Sequence, residues 1–398
     1  MSNPPIRTIT LGIAEPHPVP PRIIQQAATT LQQAHERYTQ AGYEVQTVRL
    51  SMRSIFDDLA QWPGSRIVAY ATGLQRLFGD ISTLAIEYCS LGTANASRPT
   101  FPLQQLELIP ELLIPSSALN ATVTLADEQH GLREEVAPHI AQIIQRLARE
   151  TTGGIGNFRF AMLAHVPPGT PFFPAAYHSG AASLSIGLQG AGIVHEALGE
   201  QISTMMQGVD LSQVARWIKE KLVQRASPIV TMAQQLAQEN ELLFGGIDLS
   251  PAPMGEDSIV SALELCGLGP FGTAGSVALV SAVTSALKGT SLPSCGYSGL
   301  MLPVMEDTAL GKRWEEGFLN VHQLLLYSTI CGTGLDTIPL PGNCSIEAIS
   351  QLLLDVASLA QRLHKPLSAR LFPVPGKEAG DYTNFNSPHL TNTLVKDV

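Results

Sequence analysis

One phrase occurs twice in this chain, as GIDLSPAP at residues 246–253 and as GLDTIPLP at residues 334–341. In each copy an aliphatic residue precedes an aspartate, Asp248 or Asp336, and two prolines follow. Proline lacks the backbone N–H and fixes φ, so it interrupts a central strand. We therefore predict two short buried strands, each ending in a rigid loop that carries a carboxylate. The two carboxylates should lie at comparable strand ends in the two halves of one fold, on a shared rim.

Short strands alternate with longer helices along the rest of the chain. Residues 6–13 and 43–50 alternate apolar and polar side chains, which predicts half-buried strands with a helix at 22–41 between them. The other expected elements are helices at 54–61, 72–90, 134–150, 191–207, 211–241, 257–266, 273–288, 309–328 and 345–364, strand-like segments at 106–113, 158–166, 298–305 and 369–372, and a loop at 117–130. This order predicts an α/β fold with helices outside a sheet or barrel. No low-complexity linker divides the chain, so we expect a single domain over 1–398.

The composition argues against several classes of partner. The 398 residues carry 24 Lys and Arg against 34 Asp and Glu, a net charge of −10, so we expect neither nucleic acid nor an anionic membrane as a partner. The chain contains no apolar run long enough to span a bilayer, and its first residues lack the pattern of a signal peptide, so a cytoplasmic location is expected. Charged residues make up only 15% of the chain, which fits a large core and a homo-oligomer.

The common sequence motifs for nucleotide binding and for catalytic zinc are absent. The sequence has no P-loop, no Gly-x-Gly-x-x-Gly after an early strand, and no His-Glu-x-x-His. Residues 267–272 (GLGPFG) fit the glycine pattern, but they contain a proline and follow a predicted helix, so a helix end and turn is the better interpretation. We therefore expect no nicotinamide, flavin or ATP cofactor.

Four carboxylates are candidates for a site at the predicted rim. Asp248 and Asp336 follow buried strands, and Glu306 and Asp307 precede a helix. Each could instead cap a helix or accept backbone N–H groups in its own loop. If they converge, a cation must balance them, because an unpaired buried charge is costly. Oxygen ligands favour Mg²⁺, Mn²⁺ or Ca²⁺, so the hypothesis assigns Asp248, Glu306 and Asp307 to a divalent cation and gives Asp336 a catalytic role.

Four further residues are candidates for binding or catalysis. His178 ends the apolar loop PFFPAAYH, where it could carry a proton or bond a backbone carbonyl. Cys331 precedes the second aspartate phrase, where it could be a nucleophile or radical relay, or a buried small apolar residue. Lys377 and Asp381 follow the last predicted strand, and they could bind an anionic cofactor or lie in solvent.

Several motifs together resemble the domain-of-unknown-function 711 family, also called uncharacterised protein family 0210. The resemblance covers nearly the whole chain, and it rests on residues 6–13, 45–50, 246–253, 257–259, 302–307, 331–342 and 373–381. It implies the fold of the pyruvate formate-lyase-like glycyl radical enzymes. That fold is a ten-stranded α/β barrel of two five-stranded parallel half-barrels that run antiparallel to each other, with the helices outside.

The radical chemistry of that fold is not expected here. Glycyl radical enzymes carry an Arg-Val-x-Gly-Tyr-like loop near the C-terminus, facing a thiyl cysteine. This chain has Cys-Gly-Tyr at 295–297, far from its end, and no such loop after it. Cys331 does lie where the family pattern has its cysteine. The fold alone does not carry an activity across.

Three hypotheses about function remain. The first is a non-radical enzyme that acts on a small polar molecule inside the barrel, with a divalent cation and with His178 as the acid or base. We then expect His178 near at least one of the four carboxylates, and chelators should lower the melting temperature. The second is a radical enzyme that uses Cys331 and an activase. The third is a non-catalytic protein that binds a small ligand.

Overall fold

A computed structural model describes residues 3–80, 86–206 and 208–398 of the chain. This part of the chain contains ten β-strands. They are β1 (Ile6–Gly12), β2 (Val48–Ser51), β3 (Tyr88–Ala94), β4 (Leu119–Asp127), β5 (Gly131–Leu132), β6 (Phe160–Ala164), β7 (Ser183–Leu188), β8 (Leu243–Asp248), β9 (Gly334–Pro341) and β10 (Leu367–Val374).

Helices connect the strands. In chain order they are α1 (Pro21–Gln40), α2 (Ile55–Asp58), α3 (Gly64–Asp80), α4 (Leu108–Leu113), α5 (Ala137–Glu150), α6 (Ala191–Gly199), α7 (Ile202–Met205), α8 (Leu211–Glu239), α9 (Ile259–Glu264), α10 (Ser276–Lys288), α11 (Thr308–Glu315), α12 (Val321–Ile330) and α13 (Ile346–Leu363). Three short 3-10 turns complete the set: Leu103–Glu107, Glu134–Val136 and Thr152–Arg159. No helix in the described ranges is both long and apolar enough to cross a membrane.

The sheet consists of two parallel halves that run in opposite directions. Its strand order is β8-β7-β1-β2-β3-β4-β6-β10-β9, and β5 pairs with β4 at the side. The five strands β1, β2, β3, β4 and β6 are mutually parallel and form the first half. The second half contains the parallel pairs β7–β8 and β9–β10. The two halves meet antiparallel, at β1 with β7 and at β6 with β10.

Residues 293–304 lie between the two ends of this strand order. Ile247 of β8 forms a parallel bridge to Ser294, and Asp336 of β9 forms a parallel bridge to Pro303. This irregular segment therefore occupies the place of the fifth strand in the second half. The predicted fold class, a ten-stranded α/β barrel with helices outside, is confirmed.

The strands have two buried faces, one against the helices and one inside the barrel. In β4 the apolar residues Leu119 and Val123 alternate with polar ones, and Asn120 lines the cavity inside the barrel. Thr122 and Thr124 follow Asn120 at alternate positions and are also buried. The predicted loop at 117–130 is therefore wrong, because buried polar side chains on the inner face make this strand resemble a loop.

Four other local predictions are wrong. The segment 298–305, predicted as strand-like, is irregular and forms one isolated bridge, from Pro303 to Asp336. The strand-like segment 106–113 is the end of a 3-10 turn followed by α4. The helix expected at 72–90 ends at Asp80, and its last three residues, 88–90, belong to β3, with residues 81–85 outside the described part of the chain. The prolines of the second aspartate phrase do not end a strand, because β9 continues to Pro341. β9 lies at the end of the strand order, where a missing N–H does not interrupt a ladder.

Candidate active site

A cavity inside the barrel lies where the two halves face each other. It has a water-accessible volume of about 60 Å³, and one water needs ~10–15 Å³, so it has room for a few waters or for one compact molecule. The first half contributes Arg7, Arg49, Tyr88, Asn120 and Ala161 to its wall. The rest of the wall consists of Phe158, residues 172–175, Ala252, Pro253, Tyr297, Met301, Pro303, Glu306, Thr333, Asp336, Ser368 and Arg370. We call this space the central cavity.

Arg370 connects two carboxylates in the wall of the central cavity. Its Nε donates to Asp336 Oδ1 at 2.6 Å, and its Nη2 donates to Glu306 Oε1 at 2.5 Å. Glu306 also accepts from Arg7 Nη2 at 3.1 Å. The side chains of Arg370 and Glu306 are each 7% exposed, whereas Asp336 keeps 18%. Asp336 therefore has the carboxylate that a molecule in the cavity reaches most easily.

Burial and the neighbouring charges shift the pKa values of Arg370 and Asp336 in opposite directions. Burial disfavours the charged form of Arg370, but the carboxylates of Asp336 and Glu306 raise its pKa above the ordinary value, so it stays a cation. Burial raises the pKa of Asp336, and Arg370 opposes that rise. A buried carboxyl with a raised pKa beside a fixed cation is suited to accepting and returning a proton.

Arg49 also lines the central cavity, but it has no carboxylate partner among the residues that the structure describes. Its Nε donates to Thr47 Oγ1 at 2.9 Å, and its guanidinium carbon lies 5.5 Å from the ring centre of Tyr88 and 5.0 Å from that of Phe173. Burial, and after it the neighbouring charge of Arg7, lower the pKa of Arg49 to about 9. Even so, Arg49 is a cation at neutral pH.

Three polar side chains complete the inner surface. The amide oxygen of Asn120 and the hydroxyl of Thr333 are buried and have no hydrogen-bond partner within the described residues. The phenol of Tyr297 is buried, and burial raises its pKa well above the ordinary value, while Ser368 acts in the opposite direction. At neutral pH Tyr297 is therefore a neutral donor.

A larger pocket of about 430 Å³ opens beside the central cavity and shares Tyr88 and Phe158 with it. Its wall includes Arg159 and His389, and the ring of His389 stacks on Phe158 with ring centres 5.9 Å apart. We call it the outer pocket. Tyr88 and Phe158 therefore stand between the outer pocket and the central cavity.

The aspartates of the repeated phrase lie in the same half of the barrel, on the strands that flank residues 293–304. The expectation that they belong to different halves is wrong. Asp248 ends β8, whereas Asp336 is the third residue of β9. Asp248 accepts hydrogen bonds from Ser250 Oγ (2.6 Å) and from the backbone N–H groups of Ser250 (3.0 Å), Tyr297 (2.8 Å) and Ser298 (3.0 Å). Its function is to hold the loop that places Tyr297 against the cavity.

Glu306 and Asp307 are neighbours in sequence but have different surroundings. Glu306 lines the central cavity, as described above. Asp307 caps α11 by accepting from Leu310 N at 3.0 Å, and it also accepts from Ser258 Oγ at 2.6 Å and Ile259 N at 3.0 Å at the start of α9. Asp307 therefore connects the ends of two helices, and no part of it lines the cavity.

His178 lies apart from the carboxylates. Its Nε2 is 3.0 Å from the carbonyl oxygen of Ala181, and its ring packs so closely on Gly12 that a Cβ there would lie 2.1 Å from Nδ1. Burial lowers the pKa of His178, and the charged residue that acts on it is Arg53. His178 does not line the central cavity, and within the described residues no hydrogen bond or ion pair joins it to Asp248, Glu306, Asp307 or Asp336.

The other three candidates also lie outside the cavity wall. Cys331 directly follows the last residue of α12 and is 4% exposed within the apolar core, where its Sγ accepts from Leu300 N at 2.9 Å. Lys377 is half-buried, and its carbonyl accepts from Gly342 N. Asp381 is exposed and accepts from Glu378 N at 2.9 Å. The nearest surroundings of all three fit structural roles.

The carboxylates do not fit the divalent cation of the sequence hypothesis. Asp248 and Asp307 direct their oxygens to N–H and O–H donors, and Glu306 and Asp336 are balanced by arginine. Within the described ranges, no three His, Cys, Asp or Glu side chains form a group that could hold a metal ion. The cations that balance Glu306 and Asp336 are therefore the guanidinium groups of Arg7 and Arg370.

Sequence reasoning missed the three arginines that control the charge of the cavity. Arg7 and Arg49 belong to strands that were interpreted as half-buried, so their polar positions were assigned to solvent. Arg370 occupies the middle of a short apolar strand. An arginine inside a strand, in a chain with only 15% charged residues, was the available signal.

Comparison with known proteins identifies the family. The sequence profile described as "Uncharacterised ACR (DUF711)" matches residues 1–386. The chain belongs to the DUF711 family. A UPF0210 protein of Halothermothrix orenii is 28% identical over 96% of this chain and 88% of its own length. The UPF0210 protein MK1214 of Methanopyrus kandleri is 31% identical over 69% of this chain and 62% of its own length.

Among solved structures, an anaerobic ribonucleotide reductase is similar to this DUF711 protein. The match covers 98% of this chain and 76% of that chain, with 10% sequence identity and a TM-score of 0.43. At that level of similarity, the function of this DUF711 protein has to be argued from its own residues.

Proposed function

We propose that this DUF711 protein is an enzyme that moves a proton on a small polar molecule bound in the central cavity. The observation that carries the proposal is the Asp336–Arg370–Glu306 chain in the cavity wall, with Asp336 the most exposed of the three. Burial raises the pKa of Asp336, which brings the carboxyl closer to the pH at which it can both take and release a proton.

Each residue of the chain has a separate part in the proposed step. Asp336 accepts a proton from the bound molecule. Arg370 holds Oδ1 of Asp336 through Nε, so the carboxylate has a fixed orientation. Glu306 fixes Arg370 from the other end and is itself fixed by Arg7. Tyr297 lies in the same wall, as a neutral donor for an oxygen of the molecule.

The proposal uses neither a protein radical nor a metal ion. Cys331 is packed in the core and does not line the cavity, so a thiyl radical there would not reach a molecule bound inside. Both carboxylate oxygens of Asp248, Asp307 and Glu306 accept from protein donors, and the carboxylate of Asp336 is paired with Arg370 through Oδ1. The cytoplasmic location and the homo-oligomeric state stay predictions.

Turnover of a metabolite mixture tests the proposal. The wild type and the Asp336→Asn variant are each incubated with a metabolite extract, and mass spectrometry follows which molecules disappear and which form. Asp381→Asn is the matched control, since it makes the same chemical change on the surface. We expect wild type and D381N to convert the same molecule and D336N to lose at least a hundredfold in rate. Ligand stabilisation without any conversion by wild type would favour the non-catalytic alternative.

A further inference from the structure

Arg49 leaves one positive charge unmatched in the wall of the central cavity. The wall contains three arginines, Arg7, Arg49 and Arg370, and two carboxylates, Glu306 and Asp336. Glu306 pairs with both Arg7 and Arg370, and Asp336 pairs with Arg370. Arg49 forms no ion pair with any carboxylate of the described residues.

Within the described part of the chain, no other anion lies within ion-pair distance of Arg49. Glu87 and Glu306 act on it only from beyond ion-pair distance, and the ring of His389 is neutral, because burial and the charges of Arg7 and Arg49 lower its pKa. Tyr88 beside Arg49 is also uncharged at neutral pH, since burial raises its pKa. A buried cation without a partner is costly, so its retention needs a reason.

The position of Arg49 is fixed although its charge is unpaired. The Nε bond to Thr47 and the aromatic faces of Tyr88 and Phe173 orient the guanidinium. Arg49 is 7% exposed and lines the cavity, and within the described residues its two terminal nitrogens donate no hydrogen bond. Two parallel N–H donors on a fixed guanidinium match the geometry of an oxyanion.

We propose that the molecule bound in the central cavity carries a compact oxyanion, a carboxylate or a phosphate, that binds to Arg49. This inference names the ligand class of the proposed enzyme and rests on that proposal for the site. The small volume of the cavity limits the ligand to a few non-hydrogen atoms beyond the oxyanion. The Asn120 oxygen and the Thr333 hydroxyl, which have no partner in the described chain, would accept hydrogen bonds from a hydroxyl or amine of the ligand.

Melting curves with defined anions test the inference. The probes are inorganic phosphate, acetate and lactate, with sodium chloride for ionic strength and glycerol as an uncharged polar molecule of similar size. The variants are Arg49→Met and, as a matched control, Arg66→Met. Arg66 stacks on Trp62 at 3.7 Å but is exposed on the surface, so R66M removes the same charge and the same type of contact.

We expect at least one of the three anions to raise the melting temperature of wild type and R66M saturably, by a few degrees at about a hundredfold excess over Kd. R49M should show no such rise, and without ligand it should melt at or above the wild-type temperature, because it removes an unpaired buried cation. A response to phosphate alone assigns a phosphate, and a response to acetate or lactate alone assigns a carboxylate. Equal shifts in R49M and wild type, or shifts no larger than those with sodium chloride, would overturn the inference.

The same variants separate this inference from the proposed function. D336N should keep the anion-induced shift while losing turnover. If the shift depends on Arg49 but D336N converts metabolites normally, the anion site stands and the catalytic proposal fails. If D336N loses turnover while R49M keeps it with an unchanged KM, the catalytic proposal stands and the anion site fails.

Discussion

Asp336 and Arg370 face each other from adjacent parallel strands, with Nε and Oδ1 2.6 Å apart inside the barrel. Both side chains are largely buried, and Glu306 holds the other end of the guanidinium. The second aspartate phrase therefore contributes to a charged network that connects the cavity wall. The first phrase, with Asp248, supports a neighbouring loop instead.

Removal of Arg370 should destabilise the fold strongly. Arg370→Met leaves two buried carboxylates without this cation, so we expect the free energy of unfolding to fall by about 3–5 kcal/mol. Urea denaturation of the variant and the wild type measures this difference in the free energy of unfolding. Adding D336N should recover part of the loss, since the two residues interact. Arg37→Met is the control. It breaks an exposed pair with Glu239 and should cost less than about 1 kcal/mol, so an equal cost for both arginines would contradict the account.

Asp307 should contribute to stability because it caps two helices. Asp307→Ala removes the acceptor of N–H groups at the starts of α9 and α11, each of which costs ~1–3 kcal/mol when left unsatisfied in a buried place. Asp210→Ala removes the single cap of α8, in an exposed place, and should cost about 1 kcal/mol. Denaturation curves compare the two variants. A D307A variant no less stable than D210A would show that the shared cap is unimportant.

Stability should fall as the pH drops from 6.5 to 4, in part because of His17. This buried ring is 2.9 Å from the Tyr70 hydroxyl and 3.1 Å from the Arg53 carbonyl, and burial lowers its pKa to about 4. The unfolded chain binds the proton more strongly, so the contribution of His17 is complete above pH 6.5 and lost towards pH 4. The loss amounts to at most about 3 kcal/mol. The free energy of unfolding of His17→Gln should fall less than that of the wild type between pH 6.5 and pH 4. Equal falls in the two proteins would show that His17 does not cause the loss.

Chelation should leave the melting temperature unchanged. The sequence hypothesis expected a fall, because it assigned a divalent cation to Asp248, Glu306 and Asp307. Their oxygens already bind N–H, O–H and guanidinium donors, so a cation would have to displace those bonds. Melting curves before and after dialysis against a chelator, with metal content measured on both samples, check this. A fall that added Mg²⁺, Mn²⁺ or Ca²⁺ reverses would restore the metal hypothesis.

Sequence reasoning predicted the helices better than the inner face of the barrel. The double proline at the start of α1 and the apolar spacing of Ile140, Ile144 and Leu147 in α5 are local signals, and the helices begin and end close to where they predict. In contrast, the inner face of β4 carries polar residues that only the closed barrel buries. A single sequence does not show which polar positions point inward.

The same limit applies to the site. Glu306 and Asp336 were predicted as site residues, and both line the central cavity. Asp248, Asp307, His178 and Cys331 take the structural alternatives that the sequence left open: N–H acceptor in a loop, helix cap, bond to a backbone carbonyl, and buried small residue. The sequence did not decide between these and a site, because their contacts with Tyr297, Ser258, Gly12 and Leu300 form only in the folded chain. The arginines were missed because alternation in a strand was interpreted as one buried and one solvated face.

The position of a bound molecule tests the central claim most directly. The measurement is a crystal structure of the protein with the anion or metabolite that stabilises it most. We predict electron density in the central cavity, with an oxyanion at hydrogen-bond distance from Arg49 and the rest of the molecule in contact with Asp336. Density in the outer pocket beside Arg159, with the central cavity holding only water, would contradict the account.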